Sequence, residues 1–171
     1  MWRKEIPKKL HILPSKQPYK ECKKNCEKLG GTLPLLRSDE ELNVLNNTIG
    51  SKNRWGENGA DRLKNPCGYE IWMPVIQGEK IQGKEDEYGW LEDILNDTLG
   101  ASFLPWELSQ PNGQDVEQCV KLSFNTNQYA DIACEGNECC LCEFSGAVNF
   151  NLHGMPETYD VDTHYIFDPE V

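Results

Sequence analysis

Two short segments hold the residues whose types and spacing suit cation chemistry. The first is Gln110-Pro111-Asn112, with Asp115, Glu117 and Cys119 behind it; the second is Tyr129-Ala130-Asp131, three residues before Cys134. A calcium ion takes six to eight oxygen ligands at about 2.3–2.6 Å. Gln110 and Asn112 flank Pro111, so an extended segment sends their amides to a similar side. A cis bond at Pro111 would draw the two oxygens closer in a tight turn. Glu117 and Asp131 together carry enough charge to neutralise one Ca²⁺, and Asp115 is a further acid. The competing reading is plainer: Gln, Asn and Gly form a polar turn, and the acids face water. Composition leaves both open.

The cysteines would hold these segments in place. There are eight: Cys22, Cys26, Cys67, Cys119, Cys134, Cys139, Cys140 and Cys142. An even count, irregular spacing and only three histidines indicate disulfides in an oxidising compartment. A zinc site from Cys134, Cys139, Cys140 and Cys142 is the rival. Adjacent cysteines on a strand point to opposite faces, so these four converge poorly on one metal. Residues four apart on a helix lie about 6 Å apart on one face, and residues two apart on a strand about 6.6 Å. Cys22 and Cys26 therefore match Cys140 and Cys142 as two rungs, Cys22–Cys140 and Cys26–Cys142. Cys139 faces the other way and is left for Cys67. Cys119–Cys134 brackets the loop between two strands, closing about sixteen residues for roughly 3 kcal/mol on the chain-entropy model. That bond keeps Glu117 and Asp131 close to one another.

The elements that must position these groups can be read from periodicity. Residues 1–17 contain a short strand with Leu10, Ile12 and Leu13 buried. Pro18 opens a helix, YKECKKNCEKL, with Tyr19, Cys22, Cys26 and Leu29 on one face, and Gly30 and Gly31 end it. TLPLL reads as a short strand. A second helix, SDEELNVLNNTIG, starts at a Ser38/Glu41 capping box and buries Leu42, Leu45 and Ile49. From residue 66 the pattern changes to short strand-like pieces: YEIWMPVI, GWLED, QCVKLSF, YADIAC and CCLCEF. Helices followed by antiparallel strands predict an α+β fold. Residues 51–65 and 78–89 read as polar loops. Trp55, Glu85, Asp86, Glu87 and Tyr88 there are candidates for partner contact.

Residues 145–171 carry too much apolar matter for a free linker. They either pack on the domain, for instance by pairing with its first strand, or belong to a neighbouring domain. The expected organisation is a leading segment or junction at 1–10, one domain at 11–144 and this C-terminal extension.

The net charge of −11 argues against nucleic acid and an anionic membrane face. No apolar run is long enough to span a bilayer as a helix. Asn46 and Asn96 each begin a glycosylation triplet, in keeping with a secretory route. His11, His153 and His164 lie in no recognisable triad, and the acids form no evident glycosidase pair, so no catalytic activity is expected.

At this point the residues resemble a known family, the C-type lectin-like domains. The resemblance runs in order through PYKECKKNCEKLGGTLPLLRSDEELNVL, IWMPV, GWLED, WELSQPN, VEQCV, YADIAC and LCEF. It covers about residues 11–144 and implies two helices packed on a twisted antiparallel sheet, a long loop region and disulfide staples. In sugar-binding members a proline tripeptide, a downstream Glu and an Asn-Asp pair ligate one calcium and then bind two sugar hydroxyls. Glu-Pro-Asn is the mannose-type signature and Gln-Pro-Asp the galactose type; Gln110-Pro111-Asn112 is neither. Glu117 and Asp131 keep their positions, but Ala130 stands where the Asn belongs and Tyr129 where a Trp is usual. Gly113 and Gln118 stand where a second calcium would want acids, so that site is expected to be absent.

The resemblance implies an extracellular recognition or accessory module, secreted or in an ectodomain, working mainly through protein–protein contact within a larger protein. The alternative is a calcium-dependent carbohydrate-binding domain. It would hold one weak calcium through Gln110, Asn112, Glu117 and Asp131, with Gln110, Asn112 and Glu117 touching the glycan, and Ala130 would weaken it.

Overall fold

The structure, a computed structural model, describes residues 8–13, 15–47, 70–83, 87–94, 97–113, 116, 118–145 and 158–161. The expectations placed on Ile49, Trp55, Cys67, Glu85, Asp86, Asn96, Asp115, Glu117, His153 and His164 lie outside these residues.

The fold is α+β. Strand β1 (Lys8–Ile12) is followed by helices α1 (Tyr19–Lys28) and α2 (Asp39–Leu45). Strands β2 (Glu70–Lys80), β3 (Tyr88–Ile94), β4 (Asp97–Gly100), β5 (Cys119–Ser123), β6 (Gln128–Ile132), β7 (Leu141–Ser145) and β8 (Thr158–Val161) follow. Among the described residues they form two antiparallel sheets. The larger has the order β4-β3-β2-β5-β6 and the smaller β7-β1-β8. A bridge between Ile71 and Cys139 joins them, with Trp72 N–H donating to Cys139 O at 3.1 Å.

The central strand β2 explains the layering. Ile71, Met73 and Val75 face a core shared with Leu10, Ile12, Leu42, Leu45, Val120, Leu122 and Leu141. Trp72 points the opposite way into a second core with Tyr19, Cys22, Cys26, Leu33 and Phe144. A strand buried on both faces reads as a continuous apolar run, and IWMPV is one. Pro74 offers no N–H to the ladder, and the β2–β5 register shifts between Met73 and Ile76. Trp72 Nε1–H is satisfied by Gln17 O at 2.6 Å.

Helix α1 begins after Pro18, whose extended backbone serves as the N-cap. It buries Tyr19, Cys22 and Cys26, one turn apart, and packs on β7 and β2. Gly30 adopts φ 90°; its N–H donates to Glu27 O, and Gly31 N–H donates to Cys26 O. This pair of bonds closes the helix end through a left-handed residue. Helix α2 is capped by Ser38, whose Oγ accepts from Glu41 N–H at 3.3 Å. The return bond differs from the expected box: Glu41 Oε2 accepts from Arg37 N–H at 2.7 Å, one residue earlier than the cap.

Three sequence expectations need correction. TLPLL is no strand; only Thr32 bridges, to Glu143, because Pro34 cannot donate to a ladder. Residues 78–80 and 88–89 are the ends of β2 and β3 rather than loop, leaving a shorter connection between them. Strand β4 was not expected at all.

Candidate functional site

Strands β5 and β6 present the site. Their register sets Val120 opposite Asp131 and Lys121 opposite Ala130, and the Cys119–Cys134 disulfide closes their far end. The segment between β4 and β5 is then stitched to β6 by its backbone. Tyr129 N–H donates to Pro105 O at 2.7 Å, and Glu107 N–H donates to Tyr129 O at 2.8 Å. These bonds bring the proline tripeptide to the end of β6.

The Gln110–Pro111 bond is cis, and Ser109 just before it has φ 71°. The turn delivers two successive backbone donors to one carboxylate. Asn112 N–H donates to Asp131 Oδ1 at 3.0 Å and Gly113 N–H to Asp131 Oδ2 at 2.8 Å. Asp131 is buried, so this pairing satisfies an acid that would otherwise be costly to bury. Gln110 Oε1 is also buried and has no hydrogen-bond partner among the described residues. Asn112 is exposed, and Ala130 is buried with no side-chain oxygen to give.

Gln110, Asn112 and Asp131 are thus brought together. Among the described residues they offer two amides and one carboxylate, well short of the six to eight oxygens of a calcium shell. Ala130 removes one ligand, and both Asp131 oxygens already accept backbone N–H groups. A Ca²⁺ held here would depend on Glu117 and water for the balance.

The wall beside the turn is aromatic. Trp106 meets Trp90 edge-on at 5.1 Å and Tyr129 at 6.2 Å between ring centroids, and Phe103 meets Tyr129 at 6.3 Å. Tyr129 thus holds the core end of a cluster that runs out to the surface. Burial, reinforced by the charges of Glu92 and Glu41, pushes its phenol well above the usual range. The sequence marks Trp106 by its place in WELSQPN, but it carries no sign of the contact with Trp90 across the sheet.

The disulfides are Cys22–Cys140, Cys26–Cys142 and Cys119–Cys134, with Cα–Cα distances of 5.4, 5.3 and 5.1 Å. Cys139 is disulfide-bonded as well. The sulfurs of Cys22, Cys26 and Cys140 lie within 4.8 Å of one another, the spacing of a metal cluster. Each is already bonded to another sulfur, so none is a thiolate able to ligate a metal. The Asn46 amide donates to Phe124 O at 3.3 Å and to Asn127 Oδ1, so the nitrogen that would carry a glycan is engaged with the chain itself.

Residues 15–144 match the family described as Lectin C-type domain. The C-type lectin domain family 3 member A of Bos taurus is 30% identical over 128 residues, 74% of this chain and 54% of that protein. The chain spans about half the length of the curated relatives it matches. Among solved structures, the mouse scavenger receptor C-type lectin carbohydrate-recognition domain superposes with a TM-score of 0.57 at 18% identity, covering 82% of this chain and 91% of that one. A calcium-independent type II antifreeze protein superposes with a TM-score of 0.53 at 14% identity, covering 81% and 86%. These two likenesses are of fold. The family match, the two helices on antiparallel strands and the disulfides that tie α1 to β7 lead to one conclusion: this chain belongs to the C-type lectin domain family.

Proposed function

We propose that this chain is a recognition module of a larger extracellular protein that acts mainly through protein–protein contact. It is a non-enzymatic, lectin-like module, and its disulfides belong to an oxidising compartment. The observation that carries the finer reading is the state of Asp131. Its two oxygens accept from the backbone of the cis-proline turn, and Ala130 beside it contributes no donor or acceptor. The chain's own backbone N–H groups therefore already satisfy both of the oxygens that a bridging metal would use. The fold does not demand one either: the antifreeze protein of like fold is named calcium-independent.

The test is a glycan array probed in calcium and in chelator. No glycan signal that depends on calcium is the expected result. Glycans bound in calcium and released by chelator would overturn the reading.

A second reading rests on Gln110 Oε1. A buried carbonyl oxygen without a partner among the described residues is a place for a cation or a water. It favours one weak calcium at Gln110, Asn112, Glu117 and Asp131. That reading requires a rise in melting temperature with millimolar calcium, abolished in both Glu117→Gln and Asp131→Asn. Titration calorimetry without heat would remove it.

A further inference from the structure

Lysine recurs at every fourth residue along α1. Lys20, Lys24 and Lys28 are all exposed, and so is Lys16 just before the helix. Tyr19, Cys22 and Cys26 hold the buried face. By the helical period the three helical lysines form one row on the opposite face, with successive members about 6 Å apart along the axis. Residues 16–28 contain five lysines against Glu21 and Glu27, a net +3 in a chain of net charge −11. Helix stability does not account for the row. Lysines four apart repel one another, and Lys20 stands in the first turn, where the helix dipole disfavours a cation. Internal pairing does not account for it either. Among the described residues Lys20, Lys24 and Lys28 form no ion pair, whereas the neighbouring Lys23 is bound to Asp93 at 2.9 Å.

We propose that this row docks an extended acidic segment of a protein partner, one with Asp or Glu at alternate residues. The proposal rests on the protein-contact reading above and names the partner's chemistry. Alternate residues of an extended chain point the same way about 6.6 Å apart, close to the step of about 6 Å along the row. Three carboxylates therefore meet three ammonium groups in register. A place for the segment lies beside the row. Lys20 and Lys24 line a groove of about 360 Å³, with Ile76 and the Cys119–Cys134 disulfide as its apolar part. Two acids, Glu27 and Asp93, line it too. Asp93 is already neutralised, since Lys23 Nζ and Tyr19 Oη both donate to it, at 2.9 and 2.8 Å. Glu27 is half-buried, so the exposed charged residues at the groove are Lys20 and Lys24. Charges farther away than a Debye length, about 8 Å at physiological salt, are screened. At contact range the row therefore outweighs the chain's overall negative charge.

The experiment follows backbone amides of the full chain by ¹⁵N NMR, at physiological salt and in chelator. The probes are blocked Asp-Thr-Asp-Thr-Asp, its isomer Asp-Asp-Asp-Thr-Thr, the uncharged Asn-Thr-Asn-Thr-Asn and a short heparin fragment. The amides of α1 should shift saturably with the alternating peptide and stay still with the uncharged one. The isomer should bind about threefold more weakly, and Lys24→Gln should weaken the alternating peptide about threefold. The combined Lys20→Gln, Lys24→Gln and Lys28→Gln variant should lose about tenfold, while Lys80→Gln, on β2, should change binding less than about twofold. All three row lysines are exposed, so an unchanged melting temperature identifies folded variants. Equal binding of the isomer or of the uncharged peptide would overturn the proposal. So would binding unchanged in the triple variant, α1 shifts with the heparin fragment but not the peptides, or no shift at millimolar peptide. The array experiment remains independent: calcium-dependent glycan signal would sink the protein-contact reading, whereas failure of the peptides would remove only this row.

Discussion

Asp131 joins two strands' worth of information, since β6 fixes its backbone and the cis-proline turn fills its oxygens. Asparagine at this position keeps one acceptor and turns an amide N–H₂ toward a backbone N–H. The replaced oxygen leaves one buried donor facing another. Asp131→Asn should therefore destabilise the domain by about 1–3 kcal/mol, the cost of an unsatisfied buried group. Urea unfolding of the metal-free protein measures this, and an unchanged midpoint would mean that the turn finds another partner. At this scale the sequence was partly legible. The positions of Gln110, Asn112 and Asp131 were readable from their distances to Pro111, Cys119 and Cys134. That Asp131 receives N–H groups from residues 112 and 113 was not, because the direction of two backbone donors depends on the turn geometry and leaves no trace in residue type.

At the scale of elements, the rungs between α1 and β7 were readable because two periods coincide: one helical turn and two strand residues both place side chains about 6 Å apart. The buried face of α1 was legible from the same helical period, and YEIWMPVI marked β2 as a strand without stating that both its faces are buried. Strand β4, the sequence DTLG, was not, because an edge strand needs only a backbone partner and a side-chain alternation is not demanded of it. The pair Gly30-Gly31 is more informative than a helix stop. Gly30 supplies the left-handed residue, whereas Gly31 allows close approach. A Cβ on Gly31 would lie 2.5 Å from Phe144 Cε1 and 2.7 Å from Glu143 O. The backbone oxygen cannot move without disturbing its neighbours, since Glu143 N–H and O both bond to Thr32. Gly31→Ala should cost about 1–3 kcal/mol through overpacking. Thermal unfolding is the readout, and a loss below a few tenths of a kcal/mol would show that β7 can yield.

For the whole molecule, the two-sheet arrangement lay beyond the sequence. The bridge between Ile71 and Cys139 is a long-range contact that residue type does not announce, whereas the pairing of residues 158–161 with β1 is one of the readings offered for the C-terminal extension. Short apolar runs such as QCVKLSF state that a strand is buried but not which strand lies beside it. What the fold then achieves is a separation of labour. The Cys22–Cys140 and Cys26–Cys142 bonds hold α1 to the β7 side, while of these three bonds Cys119–Cys134 alone lies by the strands that carry the aromatic wall and the cis-proline turn.

That separation has a mechanical side. Lys8 lies opposite Val161, so tension applied at these two residues peels β8 from β1 one hydrogen-bonded pair at a time. The load then reaches β7 and stops at the Cys22–Cys140 bond, which short-circuits everything between those residues. Only the stretches outside the bond can lengthen, on the order of 100 Å at full extension and roughly a quarter of the slack available to a fully reduced chain. Single-molecule pulling from these two points should show that short extension in oxidising buffer and the long one after reduction; a long extension without reductant would contradict it. The aromatic wall and the cis-proline turn, mounted on the shielded sheet, would keep their shape while the tether is under strain.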